Sequence, residues 1–433
     1  MSVRTARLIG VLCTATAALV AQLAMAPAQA AAAAGRHHDD TSIDFRQWRT
    51  GADFAAGQAE GVRDDGTGLV IANPVGTITR TEPNLGTTET YQYARWTSPG
   101  YSPGFGATEL IASWNATTPP GTWLQAEMRG QSSSGARTGW YVMGQWASGD
   151  NDIQRRSVSG QSDATGTVDV DTFKTSGTAT LNSYQLRVSL YRLQGSTNTP
   201  VVTMVGAMTS AVPDRFTVPT SPAGGAWGTE LPVPSYSQNI HVGQYPQYDG
   251  GGEAWCSPTS TAMVISYWGK QPTPDQLSWV DPSYQDPVVD VAARGTYDYD
   301  YSGAGNWPFN TAYAASYGLD AHVTRLHSLT ELERYISKGI PVITSQSFLS
   351  SELDGAGYST SGHIMVVVGF TRTGDVITHD PASSDDAAVR NVYKRGQFEN
   401  VWLRTKRHLE DGSVSDGPGG VVYVITPHGM PLP

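Results

Sequence analysis

The chain has 433 residues, long enough for two domains that each bury a core. Its formal net charge of −11 argues against nucleic acid or an anionic membrane surface as a partner. Low overall charge with 47 Gly, 12 Trp and 20 Tyr points to a β-rich extracellular protein.

Residues 1–30 read as a secretory signal peptide. Arg4 and Arg7 precede an apolar run from Leu8 to Ala26, and Ala28-Gln29-Ala30 is a small-x-small cleavage signal. The expected protein is therefore secreted, cut after Ala30, and more acidic once Arg4 and Arg7 are gone. Of the two cysteines, Cys13 leaves with the signal. Cys256 then stands alone in an oxidising compartment, with no internal disulfide open to it. Such a leftover thiol is either an intermolecular bridge or a free reactive group. The apolar, aromatic surroundings of Cys256 favour the second. No later stretch offers the ~18 consecutive apolar residues of a membrane-spanning helix, so no membrane span is expected.

Residues 31–41, with His37 and His38, read as a disordered linker. Residues 42–210 show the period-two alternation of half-buried strands. Leu124, Ala126 and Met128 alternate with Gln125, Glu127 and Arg129. Tyr184, Leu186, Val188 and Leu190 alternate with Gln185, Arg187 and Ser189. Thr167 to Phe173 and Gly139 to Trp146 read as further strands. Such runs between Gly/Ser/Pro/Asn turns predict an antiparallel sandwich or jelly roll. Trp114, Trp123, Trp140 and Trp146 are either a sugar-stacking platform or core, with core preferred. An extracellular polymer is the partner that the first reading would give this domain.

Residues 211–230 contain Val212-Pro213, Val218-Pro219, Ser221-Pro222 and Gly224-Gly225, the composition of a linker. The two domains are expected to separate there, with a second domain over 231–433. Its organising stretch is Trp255-Cys256-Ser257-Pro258-Thr259. Ser257 as cap and Pro258 at the first helical position predict a helix start, and Gly269 a C′ stop. The helix from Ala262 to Trp268 has almost no polar face, so it is buried on most sides. A thiol at such a helix start feels the positive dipole end, which favours the nucleophilic thiolate.

Asp281 to Tyr301 is acidic and aromatic and reads as a long surface loop. Calcium at Asp298-Tyr299-Asp300 is conceivable, although the rest of an EF-hand pattern is missing. Tyr297, Tyr299, Tyr301 and Trp307 either wall a substrate cleft or form a buried cluster. Pro308 to Tyr317 reads as a helix ended by Gly318. Ser328-Leu329-Thr330-Glu331 is a capping box whose helix stops at Gly339. Ile340 to Ile343 and Ile364 to Phe370 read as strands, and Asp375 to Asp380 as the return of a hairpin turned at Thr371 to Gly374. A helix against a mainly antiparallel sheet is an α+β domain.

A cysteine nucleophile needs a base to take its proton and a group to orient that base. His363 stands at the mouth of an apolar strand and Asp380 at the end of the paired strand. Parity for a tight turn puts both on one face, provided a bulge or wider turn closes the remaining offset. His379 faces the other way and is the weaker candidate. Oxyanion donors would be the Cys256 N–H and a side-chain amide, with Gln238 preferred over Gln244 and Gln247. Trp255, Trp307 and Gly362 are the candidate substrate contacts. One thiol and scattered histidines give no zinc spacing, so no metal and no cofactor is expected.

Val233-Pro234-Ser235-Tyr236-Ser237-Gln238, Cys256-Ser257-Pro258-Thr259, Gly362-His363 and Thr378-His379-Asp380-Pro381 resemble the papain-like, bacteriocin-processing (double-glycine leader) cysteine peptidases, and more narrowly their secreted bacterial branch. The resemblance covers roughly 231–403. It implies Cys256 as nucleophile, His363 as base, Asp380 as its orienter and Gln238 as oxyanion donor. Ser257 stands where the family usually has Gly. Leader cleavage at Gly-Gly is not carried over, because no transmembrane or nucleotide-binding motif accompanies these residues. The expected activity is hydrolysis of a peptide or protein amide bond. A catalytically silent binding protein and acyl transfer to an amine are the alternatives.

Overall fold

The computed structural model describes residues 41–49 and 51–433. The signal peptide and nearly all of the 31–41 linker, including His37 and His38, lie outside the described residues. The described residues form one compact unit.

The N-terminal part is a β-sandwich of a seven-stranded and a six-stranded sheet. The two alternating runs pair with each other in the six-stranded sheet, where Leu186 faces Met128, Val188 faces Ala126 and Leu190 faces Leu124. All six side chains are buried, so the period-two pattern marks the face turned to the other sheet. Trp114, Trp123 and Trp146 are buried core, and Trp140 lies under the guanidinium groups of Arg129 and Arg187. Trp114, Trp123 and Trp146 therefore offer no open face for a sugar.

One strand expectation is corrected. Thr167 to Phe173 is a hairpin of two short strands, Gly166–Asp169 and Thr172–Thr175. Val170 takes φ +55° at its tip, where the alternating pattern carried on through the turn.

The C-terminal part is α+β. Its six strands run in the order Leu319–Arg325, Val421–Pro427, Val342–Phe348, Thr360–Phe370, Val376–His379, Arg390–Tyr393, all antiparallel. The helix Cys256–Tyr267 packs on the Thr360–Phe370 strand and on the helices Pro287–Thr296 and Trp307–Ala315. Ser257 to Ile265 are all buried, which is why this helix lacks a polar face. It stops as expected, with Gly269 at φ +69° and Lys270 N–H returning to the Ile265 carbonyl. It starts two residues earlier than expected. Trp255 is the N-cap, without a side-chain cap bond, and the Ser257 hydroxyl bonds Tyr423 at 2.9 Å instead. At Ser328 the box is half formed. Ser328 Oγ caps the Glu331 N–H, but the Glu331 carboxylate accepts from His327 N–H rather than from Ser328.

The long-loop reading of Asp281 to Tyr301 is corrected too. Pro287–Thr296 is a helix with Pro at its start, buried over Val289 to Ala293. The Asp298 carboxylate is filled by protein donors, namely the N–H groups of Ser157, Asp300 and Tyr301 and the Asn306 amide. Asp300 pairs with Arg156. Neither carboxylate is left for calcium.

Residues 211–230 form a strap laid over the C-terminal part. Val218 N–H donates to Asn400, Ser221 N–H to Glu399, and Gly224 and Ala226 N–H to Glu333. The sandwich packs directly on the second fold as well. Trp114 and Trp146 meet the Phe309 ring at 6.1 and 5.5 Å, and Asn115 bonds both backbone groups of Ala321. The apolar core is continuous across this seam.

Candidate active site

Cys256 is the first residue of its helix, a free and half-buried thiol. Its own amide has no acceptor within the helix and points where the helix dipole is positive. His363 enters from the Thr360–Phe370 strand and Asp380 follows the Val376–His379 strand. His363 Nε2 and Asp380 Oδ1 are 2.8 Å apart, and both side chains are buried. Asp380 Oδ1 also accepts from Ala382 N–H, while Oδ2 accepts from the hydroxyls of Tyr358 at 2.9 Å and Tyr393 at 2.8 Å. With Nε2 engaged by Asp380, Nδ1 is the nitrogen left for the thiol.

Burial alone would lower the His363 pKa. The Asp380 charge, its hydrogen bond and the Cys256 sulfur overcome that and raise it to about 10. Burial would raise Asp380, but His363, Tyr393 and Ala382 N–H hold it below the usual carboxylate value. The buried Asp380 carboxylate at 2.8 Å thus favours the protonated form of the ring.

The register explains how His363 and Asp380 meet. Phe370 pairs with Val376, so the turn is one residue wider than the tight turn expected, and that alone would put Asp380 on the wrong face. A bulge between Val367 and Gly369 restores the parity. His379 then pairs with Val366, and continuing the register sets Asp380 beside Met365, one diagonal step from His363. The strap stabilises this bulge, with Leu231 N–H bonding the Val368 carbonyl and Phe370 N–H the Thr229 carbonyl.

Gln238 lies in a short 3-10 turn packed on Gly252–Ala254, just before the cysteine. One Nε2 proton goes to the Glu253 carbonyl at 2.7 Å, which leaves the second. Gln244 is tied to His241 and Ile240, and Gln247 is exposed. His379 bonds the Pro234 carbonyl, away from Asp380. Trp255 is corrected: it is fully buried, with Nε1 on the Tyr248 carbonyl, and is a core residue rather than a substrate contact. Tyr358 and Tyr393 escaped the sequence reading. No spacing ties them to Asp380, and only the sheet order and the Tyr358 loop bring them to it.

A cleft of about 760 Å³ opens at the thiol. Cys256, His363, Gly362, Trp307 and Tyr301 line it. Of the four aromatic residues proposed for a wall, Tyr301 and Trp307 line it, whereas Tyr297 and Tyr299 pack on Tyr248, on each other and on Asp150. Residues of the sandwich line the cleft as well, including Glu109 and Asp169 to Thr172. Among the described residues no group of three or more His, Cys, Asp or Glu is placed to hold a metal ion, and no helix is long and apolar enough to cross a membrane.

Residues 230–410 match the model of the peptidase C39-like family, and residues 44–210 match that of the peptidase C39 N-terminal domain. No curated protein matches. Among solved structures, one described as a C39-like peptidase from Bacillus anthracis aligns at 15% identity and a TM-score of 0.27, over 45% of this chain and 96% of that one. A β-sandwich carbohydrate-binding module aligns at 9% identity and a TM-score of 0.15, over 38% of this chain and 56% of that one.

Proposed function

We infer, for a chain that belongs to the papain-like C39 peptidase family, that it is a secreted cysteine peptidase working through Cys256, His363 and Asp380. The observation that carries this reading is His363, bonded at 2.8 Å to a buried Asp380 while also feeling the Cys256 sulfur. The Cys256 thiolate attacks the scissile carbonyl carbon, and the oxyanion that forms meets the Cys256 N–H and the free Gln238 amide proton. The His363 imidazolium gives its proton to the leaving amine. The imidazole so formed then takes a proton from water, which attacks the thioester and frees the acid, restoring the thiolate and the imidazolium. Asp380 keeps the ring in the tautomer and orientation these transfers need. Secretion rests on the character of residues 1–30.

The test is a peptide-library cleavage profile of the protein lacking residues 1–30. Cleavage is expected with wild type and is absent with Cys256→Ala, and a chloroacetyl probe should label Cys256 faster than it labels free cysteine. Equal cleavage by the Cys256→Ala variant overturns the reading.

A further inference from the structure

One wall of the cleft is not part of the peptidase fold. The hairpin tip Asp169 to Thr172 of the sandwich lines the same cleft as Cys256 and His363. It is fastened there across the seam, because the Asp171 carboxylate accepts from Trp307 N–H at 2.8 Å, at the start of the helix Trp307–Ala315. Asp171 is buried and Thr172 Oγ1 also donates to it, so the tip is anchored rather than free to swing. Between Asp169 and Asp171 sits Val170, half-buried, in a left-handed conformation that a β-branched residue adopts only under strain. Glycine would suit that turn better. A strained apolar residue held at the mouth of a cleft is the kind of outlier that marks a function.

The other apolar groups there point the same way. Trp307, whose amide holds Asp171, is half-buried and lines the cleft, and Tyr301 is 52% exposed beside it. Tyr301 lies close enough to both Asp171 and Cys256 to feel their charges. Charged groups lining the cleft pair among themselves, as Lys174 with Asp169, Arg325 with Glu109, and Lys406 with Asp416. Val170, Trp307 and Tyr301 are among the apolar side chains that line this cleft.

We propose that Val170 of the sandwich is a specificity-determining residue of the peptidase site, forming with Trp307 and Tyr301 the seat for an apolar side chain of the substrate peptide. The proposal rests on the peptidase reading given above. It assigns the N-terminal domain a share in substrate selection, and it makes an extended peptide with an apolar residue near the scissile bond the substrate class.

The experiment compares wild type, Val170→Gly and Val170→Asp, each lacking residues 1–30, on peptide libraries varied around the scissile bond. Iodoacetamide alkylation of Cys256, which needs no peptide contact, checks that the thiol and His363 still stand as in wild type. Val170→Gly relieves the left-handed strain, so it keeps the fold and removes only the side chain. Wild type should prefer an apolar residue at one position. Val170→Gly should lose about tenfold or more of that preference, and Val170→Asp should replace it with a preference for Lys or Arg at the same position. Unchanged profiles in both variants, with cleavage intact, overturn this inference and leave the peptidase reading standing. If wild type itself neither cleaves any library member nor alkylates faster than free cysteine, the peptidase reading has failed and this inference falls with it.

Discussion

His363 carries the pH behaviour of the site. An ordinary imidazole loses its proton near 6.5, whereas this one holds it to about 10 because Asp380 and the Cys256 sulfur offset the effect of burial. The alkaline limb of the peptidase rate should therefore lie near pH 10, where the proton needed by the leaving amine is lost. In Asp380→Asn the limb should move down toward neutrality, since the largest favourable charge has gone. A pH–rate profile of each protein measures this, and an Asn variant with an unmoved limb would exclude Asp380 as the cause. Stability follows the same linkage. The folded pKa of His363 is raised, so its contribution is full below about 6.5 and is lost as pH climbs through about 10. The folded pKa of Asp380 is depressed, so its contribution is full above about 3.8 and is lost below that. Thermal unfolding should show the pair's stabilisation complete between these limits, and His363→Ala should flatten the alkaline decline.

At the scale of the element, the bulge at Val368 is what makes two strands into a catalytic pair. Gly369 allows it, because a Cβ there would stand 2.2 Å from the Thr229 carbonyl oxygen of the strap. Gly369→Ala should therefore push the strap off the bulge and destabilise the fold by about 1–3 kcal/mol. Chemical denaturation would measure that loss. The same variant should lower the alkylation rate of Cys256 at neutral pH, because Asp380 loses its register with His363. A stable variant with wild-type alkylation would show that the bulge does not depend on the strap.

For the whole molecule, the seam between the two folds is structural. A chain truncated to begin at Gly228 would expose Phe309, which now lies against Trp114 and Trp146. It would also strip buried Glu333 of the Gly224, Ala226 and Trp227 donors and leave it to Arg395. A buried carboxylate that loses three of these four partners is costly. The truncated chain is expected to be insoluble, or to unfold well below the intact protein in a thermal melt. A soluble, equally stable product would show that the seam is dispensable. The Pro and Gly residues of 211–230 suggested a linker at which the two domains separate, but extended segments of the same composition also lie flat on a surface and offer their N–H groups to it.

Local chemistry was legible from the sequence. The cysteine helix and its Gly269 stop, the Ser328 cap, the period-two strands of the sandwich, and the apolar strand that carries His363 each follow from neighbours within a few residues. Propensity, capping and alternation act over that range. Other features depend on residues far apart in the chain. The bulge that restores parity, the Tyr358 and Tyr393 hydroxyls on Asp380, the burial of Trp255 and the buried helix Pro287–Thr296 were decided by packing against partners that no spacing announces. So was the cleft wall supplied by Val170. Its run looked like one continuous strand because apolar alternation survives a two-residue turn, and only the anchoring of Asp171 on Trp307 shows where the turn points.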